Sequence, residues 1–251
     1  MERQTIDPWQ LAEAHRYADA LAAYDARPVT GNDQFAPRIA NRAIVLLCLC
    51  RWQEALDEFA RANEIKGRKT KGAQPYLKNM ATAQWLMGKR REAIETLERA
   101  VDGVASGQIR YGDLPGGVSQ GLLLWYAGVT TLDSAVGEHA LAYLSRLSEG
   151  PRSWSWPGPI ALCVLGKMRF EETLKLLAGT PDIDKIVAVA KVDVLKRRRL
   201  CQALFYAAVA RRNEGDEAAC TNGMRQCLAL ENPLVEEEWY LARAELGAST
   251  A

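Results

Sequence analysis

The sequence predicts an all-α fold assembled from repeated helix hairpins. Apolar residues recur at helical spacing over most of the 251 residues, strand-like alternation is absent, and a two-helix pattern repeats at intervals of 33 to 47 residues. With 48% apolar and 25% charged residues, the composition is that of a packed globular chain and not of a disordered one.

The repeat is plainest at 38–67 and 75–103. In the second copy Leu77, Met80, Ala81 and Gln84 mark a first helix, Gly88-Lys89 a turn, and Ala93, Leu97 and Ala100 one stripe of a second helix. The first copy offers Ala43, then Ala55, Phe59 and Ala62, with Cys50 where the turn glycine stands in the other. Small side chains let two helices cross closely, and the larger residue one turn on fills the groove between them. Asp7-Pro8 is an N-cap with proline at N1, opening a helix through Trp9 and Leu11, after which Ala20 and Tyr24 repeat the second-helix positions.

Two less regular copies follow, one with Gly128, Ala140 and Leu144, the other with Gly166, Phe170, Thr173 and Leu177. The segment 204–233 is regular again, with Ala208, Gly215, Cys220, Met224 and Cys227 in frame. The small second-helix residue thus falls at 20, 55, 93, 140, 173 and 220, in steps of 35, 38, 47, 33 and 47 residues. The long steps imply insertions at 103–117 and at 181–199, the second with a helical stretch at Lys185–Lys196. Val235 to Leu246, rich in Glu, reads as a final helix whose polar face closes the end of the stack.

Gly88, Ala93, Leu97 and Ala100, and their counterparts in the other copies, resemble the tetratricopeptide repeat. That resemblance implies a right-handed α-solenoid of about six such units plus a C-terminal capping helix. The whole chain, 1–251, would be one domain; the glycine-proline stretch at 150–159 offers a boundary between a four-repeat part, 1–150, and a two-repeat part with the cap, 151–251.

The same resemblance implies a concave face lined by first helices, where a partner protein or peptide binds. It assigns inward positions to Lys78, Trp85, Trp125, Val129, Leu132, Asp133, Gln202, Phe205, Arg212 and Asn213. Asn41 and Asn79 take the place where an asparagine of this family often bonds a peptide backbone, and Lys78 with Asn79 is the one fragment resembling a carboxylate clamp. The partner-binding set is therefore Asn41, Lys78, Asn79, Trp85, Trp125, Phe205, Arg212 and Asn213. Tryptophan and arginine dominate protein interfaces more often than other residue types, and seven tryptophans is a high number for this length. Trp154 and Trp156, in Ser-Trp-Ser-Trp-Pro-Gly-Pro, are either an exposed contact or a loop anchored into the core.

Signs of catalysis are few. No phosphate-binding glycine loop or nucleophile elbow occurs, and the two histidines, His15 and His139, read as structural. The six cysteines lie in apolar helical patterns and read as reduced, packed thiols, with no zinc-type spacing, so no cofactor or metal is expected. The carboxylate pairs Glu171-Glu172 and Asp216-Glu217 and the triplet Glu236–Glu238 read as solvated helix faces. A formal charge of +1 supplies no global field for nucleic acid, and the basic run Lys196–Arg199 reads chiefly as surface charge.

No apolar run approaches the roughly 20 residues of a membrane span, and the first residues lack a secretory pattern, so a cytoplasmic location is expected. The resulting expectation is a non-enzymatic protein-interaction module. Arginine-rich composition suggests a bacterial adaptor or an immunity protein that neutralises a cognate toxin. Two alternatives stand beside it: nucleic-acid binding through Lys196–Arg199 and Arg211-Arg212, and an enzyme or small-ligand receptor whose pocket is roofed by 103–117 and 181–199.

Overall fold

Helices account for nearly all the regular structure, and no strand occurs among the described residues. The computed structural model describes residues 7–26, 35–111 and 116–247. Its helices are α1 Pro8–Glu13, α2 Tyr17–Asp25, α3 Ala36–Cys48, α4 Trp52–Lys69, α5 Leu77–Leu86, α6 Arg90–Ala105 and α7 Val118–Thr131. They continue with α8 Ser134–Ser148, α9 Gly158–Val164, α10 Phe170–Ala178, α11 Ile183–Ala190, α12 Val194–Asn213, α13 Glu217–Leu228 and α14 Glu237–Glu245. Consecutive helices pack as hairpins, α1 on α2, α3 on α4, α5 on α6, α7 on α8, α9 on α10 and α12 on α13, and each hairpin packs on the next. None of these helices is long and apolar enough to cross a membrane.

One backbone device makes the turn of every hairpin. His15, Cys50, Gly88, Leu132, Gly166 and Gly215 have φ between 57° and 86°, the left-handed conformation that ends helices. In each case the following N–H reaches back to a carbonyl five residues earlier: Arg16 to Leu11, Arg51 to Leu46, Lys89 to Gln84, Asp133 to Gly128, Lys167 to Leu162 and Asp216 to Arg211, all at 2.8–2.9 Å. This 6→1 bond, with its inner 5→2 companion, satisfies last-turn carbonyls that would otherwise be orphaned. The turn aligns the units better than the side chains do.

Five residues after the turn come Ala20, Ala55, Ala93, Gly137 and Cys220. The small residue of the fourth unit is thus Gly137, not Ala140. A Cβ on Gly128 would lie 2.5 Å from the Gly137 backbone nitrogen, so α7 and α8 cross where both residues are glycine. In the fifth unit Thr173 comes seven residues after Gly166, because α10 starts two residues later than the other second helices do.

The second insertion is helical, as expected, but it divides differently. Asp182 caps α11 and Asp193 caps α12, so the chain breaks at Lys191–Asp193 and the basic run falls in the first two turns of α12. In the first insertion, Gly112 and Pro115 lie outside the described residues. Trp154 ends a short 3₁₀ turn and is 63% exposed, whereas Trp156 is anchored, its Nε1–H donating to Gln202 Oε1 at 2.6 Å. All six cysteines are free thiols.

The last helix departs most from expectation. Instead of capping an end with a solvated polar face, α14 folds back and packs against α5, α12 and α13. Tyr240 joins the apolar core of the N-terminal hairpins, while Leu241 and Ala242 join the larger core built by α5 to α13. It is a keystone shared by both cores.

Candidate functional site

Folding α14 inward takes the acidic triplet out of water. Glu236, Glu237 and Glu238 are at most 3% exposed, which overturns the reading of this run as a solvated face. Burying carboxylates is costly unless partners are provided, and the first helices provide them. Lys78 Nζ donates to Glu237 Oε2 at 2.6 Å, Asn79 Nδ2 donates to Glu237 Oε1, Arg198 Nε donates to Glu236, and the Tyr206 hydroxyl donates to Glu238 at 3.0 Å. Further along, Tyr126 and Arg212 both donate to Glu245, at 2.6 and 2.9 Å. Ahead of the helix, His15 and Arg197 meet Glu231. The chain thus holds its own acidic C-terminal segment along a track of basic and hydroxyl groups.

The titration of the cluster follows from burial. Burial, reinforced by Glu236 and Glu237, pushes the Glu238 carboxyl up to about 8. Burial also raises Glu236, against the opposing charges of Lys78 and Arg198. For Lys78 burial works against the charged form, but the three carboxylates outweigh it and hold the ammonium above its ordinary range. Glu238 Oε2 is buried without a hydrogen-bond partner, an arrangement that a neutral acid tolerates far better than a carboxylate.

The eight expected partner-binding residues divide among four environments. Lys78 and Asn79 are engaged by Glu237. Trp85 and Phe205 are core residues, 3% and 0% exposed, and lie on either side of Tyr126 with ring centroids 5.0 Å away. They cannot serve as exposed anchors: α5, α7 and α12 close on one another and turn the aromatic row inward. Asn41, half-buried on α3, bonds the Tyr24 hydroxyl, away from the others.

Trp125, Arg212 and Asn213 do come together. They line an open groove of about 340 Å³ between α7, α8 and the end of α12, with Val129, Leu132, Asp133, Glu138 and Leu141. Trp125 forms the buried floor and Asn213 is exposed. Leu132 stands at the lip, 89% exposed and at φ 58°. Both properties are unfavourable for leucine: a side chain in the left-handed region costs roughly 1–2 kcal/mol, and the apolar surface is left wet. Two of the three charged groups around it are already engaged, and the third, Glu138, is exposed. Asp133 caps α8 through the N–H groups of Ala135 and Val136, and Arg212 is shared by Glu217 and Glu245. What the groove offers a ligand is therefore mainly apolar.

Three of the four residues of the basic run are engaged within the chain. Arg197 and Arg198 pair with Glu231 and Glu236, and Arg199 lies over the Trp156 ring at 5.7 Å from its centroid. Periodicity gave no sign of Tyr126, Tyr206, Arg198 or Glu245 as network members, because each looks like an ordinary core or surface position until α14 is placed. Among the described residues no group of three His, Cys, Asp or Glu side chains could hold a metal ion. No family model matches the chain, and no curated protein matches it at a significant level.

Proposed function

We propose that the chain is a non-enzymatic protein-interaction scaffold of the tetratricopeptide type, a right-handed solenoid whose inner face is filled by its own C-terminal helix. It binds a partner protein at the open groove between α7, α8 and α12. The observation that carries this reading is Leu132, an aliphatic side chain 89% exposed at the lip of an apolar groove that also gathers Trp125, Arg212 and Asn213. Exposed apolar groups beside a concave, aromatic-floored surface mark interaction sites. Since Asp133 and Arg212 are internally engaged and the floor is apolar, the partner contributes an apolar anchor, a leucine, methionine or phenylalanine at a helix or loop tip, with the exposed Glu138 at the edge. Such a site suits an adaptor or the neutralisation of a cognate toxin, and affinity separates the two, a toxin inhibitor binding one partner far more tightly.

The test is affinity capture from the native source with wild type, Leu132→Asp and Asn213→Arg, each checked for folding by circular dichroism. The expected result is one stoichiometric partner lost in both variants. A partner retained by both would remove the groove from consideration.

A further inference from the structure

A second concavity lies on the other side of α12. Its inward face carries alanine at 203, 207 and 210, one per turn, opposite Phe170 and Met168, and the missing side-chain volume leaves a cavity of about 200 Å³ between α9, α10 and α12. At one end three polar or polarisable atoms converge. Thr173 Oγ1 lies 3.0 Å from Cys163 Sγ, 3.3 Å from Met168 Sδ and 3.5 Å from the Pro159 carbonyl. Thr173 is 1% exposed, and burial pushes the Cys163 thiol up, so this end carries a neutral hydroxyl and a neutral thiol. Three charged groups line the mouth and all are exposed: Arg211 and Glu214, bonded to each other at 2.9 Å, and Glu171.

We propose that this cavity binds a small uncharged aromatic molecule, one ring with a short polar substituent that reaches Thr173. Three features set that class. An apolar protein cavity of about 150 Å³ already holds benzene, so this volume admits a ring and a substituent. The charged groups stand at the mouth, and the deep end, between Ile160, Cys163, Met168 and Ala203, is uncharged, which disfavours an ionised ligand there on desolvation grounds. The sulfurs of Met168 and Cys163 favour an aromatic ring over an aliphatic one. The site is independent of the groove at Leu132.

Benzene and phenol are the probes, titrated into the full chain carrying ¹³C-methyl methionine, with the Met168 resonance assigned by Met168→Leu. Both ligands should shift that methyl saturably. Ala207→Phe, which fills the void, should weaken both at least tenfold, and Thr173→Val should weaken phenol about threefold or more while leaving benzene unchanged. Absence of a saturable shift in wild type, or an unchanged one in Ala207→Phe, overturns the proposal. If Ala207→Phe proves unfolded by circular dichroism, the comparison of phenol and benzene on Thr173→Val decides, and equal weakening of both overturns it.

Discussion

Glu238 is a carboxyl group kept in a place where water cannot reach it, and its titration should be visible in the stability of the whole chain. Its folded value, about 8, lies above the ordinary 4.5 of an unfolded glutamate, so the folded state holds the proton more tightly. The stability that goes with this is fully present below pH 4.5 and is lost as the pH rises towards and through 8. Glu238→Gln keeps the shape and cannot ionise. It should therefore flatten the fall in urea midpoint between pH 5 and pH 9, and be the more stable protein at pH 9 by about 1 kcal/mol or more. Equal pH dependence in both proteins would mean that Glu238 is solvated. Lys78 tests the other side of the cluster. Lys78→Met leaves Glu237 buried with only Asn79 to answer it, and should cost about 2–3 kcal/mol, below the value for a fully buried pair because Lys78 is half-buried. Adding Glu237→Gln should restore part of that loss, since the orphaned charge goes with it.

At the scale of the element, the inter-helix turn recurs six times with the same hydrogen bonds but with different residues at its left-handed position. Gly88, Gly166 and Gly215 adopt that conformation without penalty, whereas His15, Cys50 and Leu132 do not. A Cβ added at Gly88 would meet nothing within 4 Å, so Gly88→Ala isolates the backbone cost and should destabilise by about 1 kcal/mol. Leu132→Gly should do the opposite, gaining up to about 1 kcal/mol in urea denaturation, while abolishing capture of the partner at the groove.

For the molecule as a whole, α14 decides how the helices cohere. It contributes Tyr240 to one apolar core and Leu241 and Ala242 to the other, and its carboxylates tie to α5, α7 and α12. Its backbone amides should therefore exchange with solvent only through the global unfolding reaction, with the same denaturant dependence as amides of α5 and α12. Fast, denaturant-independent exchange confined to α14 would instead describe a segment that leaves its seat and frees Lys78, Asn79 and Arg212 for an external ligand.

The all-helical class, the hairpin unit, its approximate boundaries and most of the core positions are legible in the amino-acid order alone. Each of these is written in local periodicity, in small residues at crossings such as Ala55 and Ala93, and in turn residues such as Gly88. That order also named Trp125, Arg212 and Asn213, which do share a groove. That Trp85 and Phe205 point into the core, that Glu236–Glu238 are buried and that Arg197 and Arg198 are engaged emerges from the packing of the helices. The physical reason is one and the same. A polar run on a helix is neutral evidence until its neighbours are known, and the groups that answer Glu237 and Glu236 come from Lys78 and Asn79, some 160 residues earlier in the chain, and from Arg198, on another helix. Periodicity reports which face of a helix is apolar. It does not report that the polar face of the last helix will meet the basic face of the others.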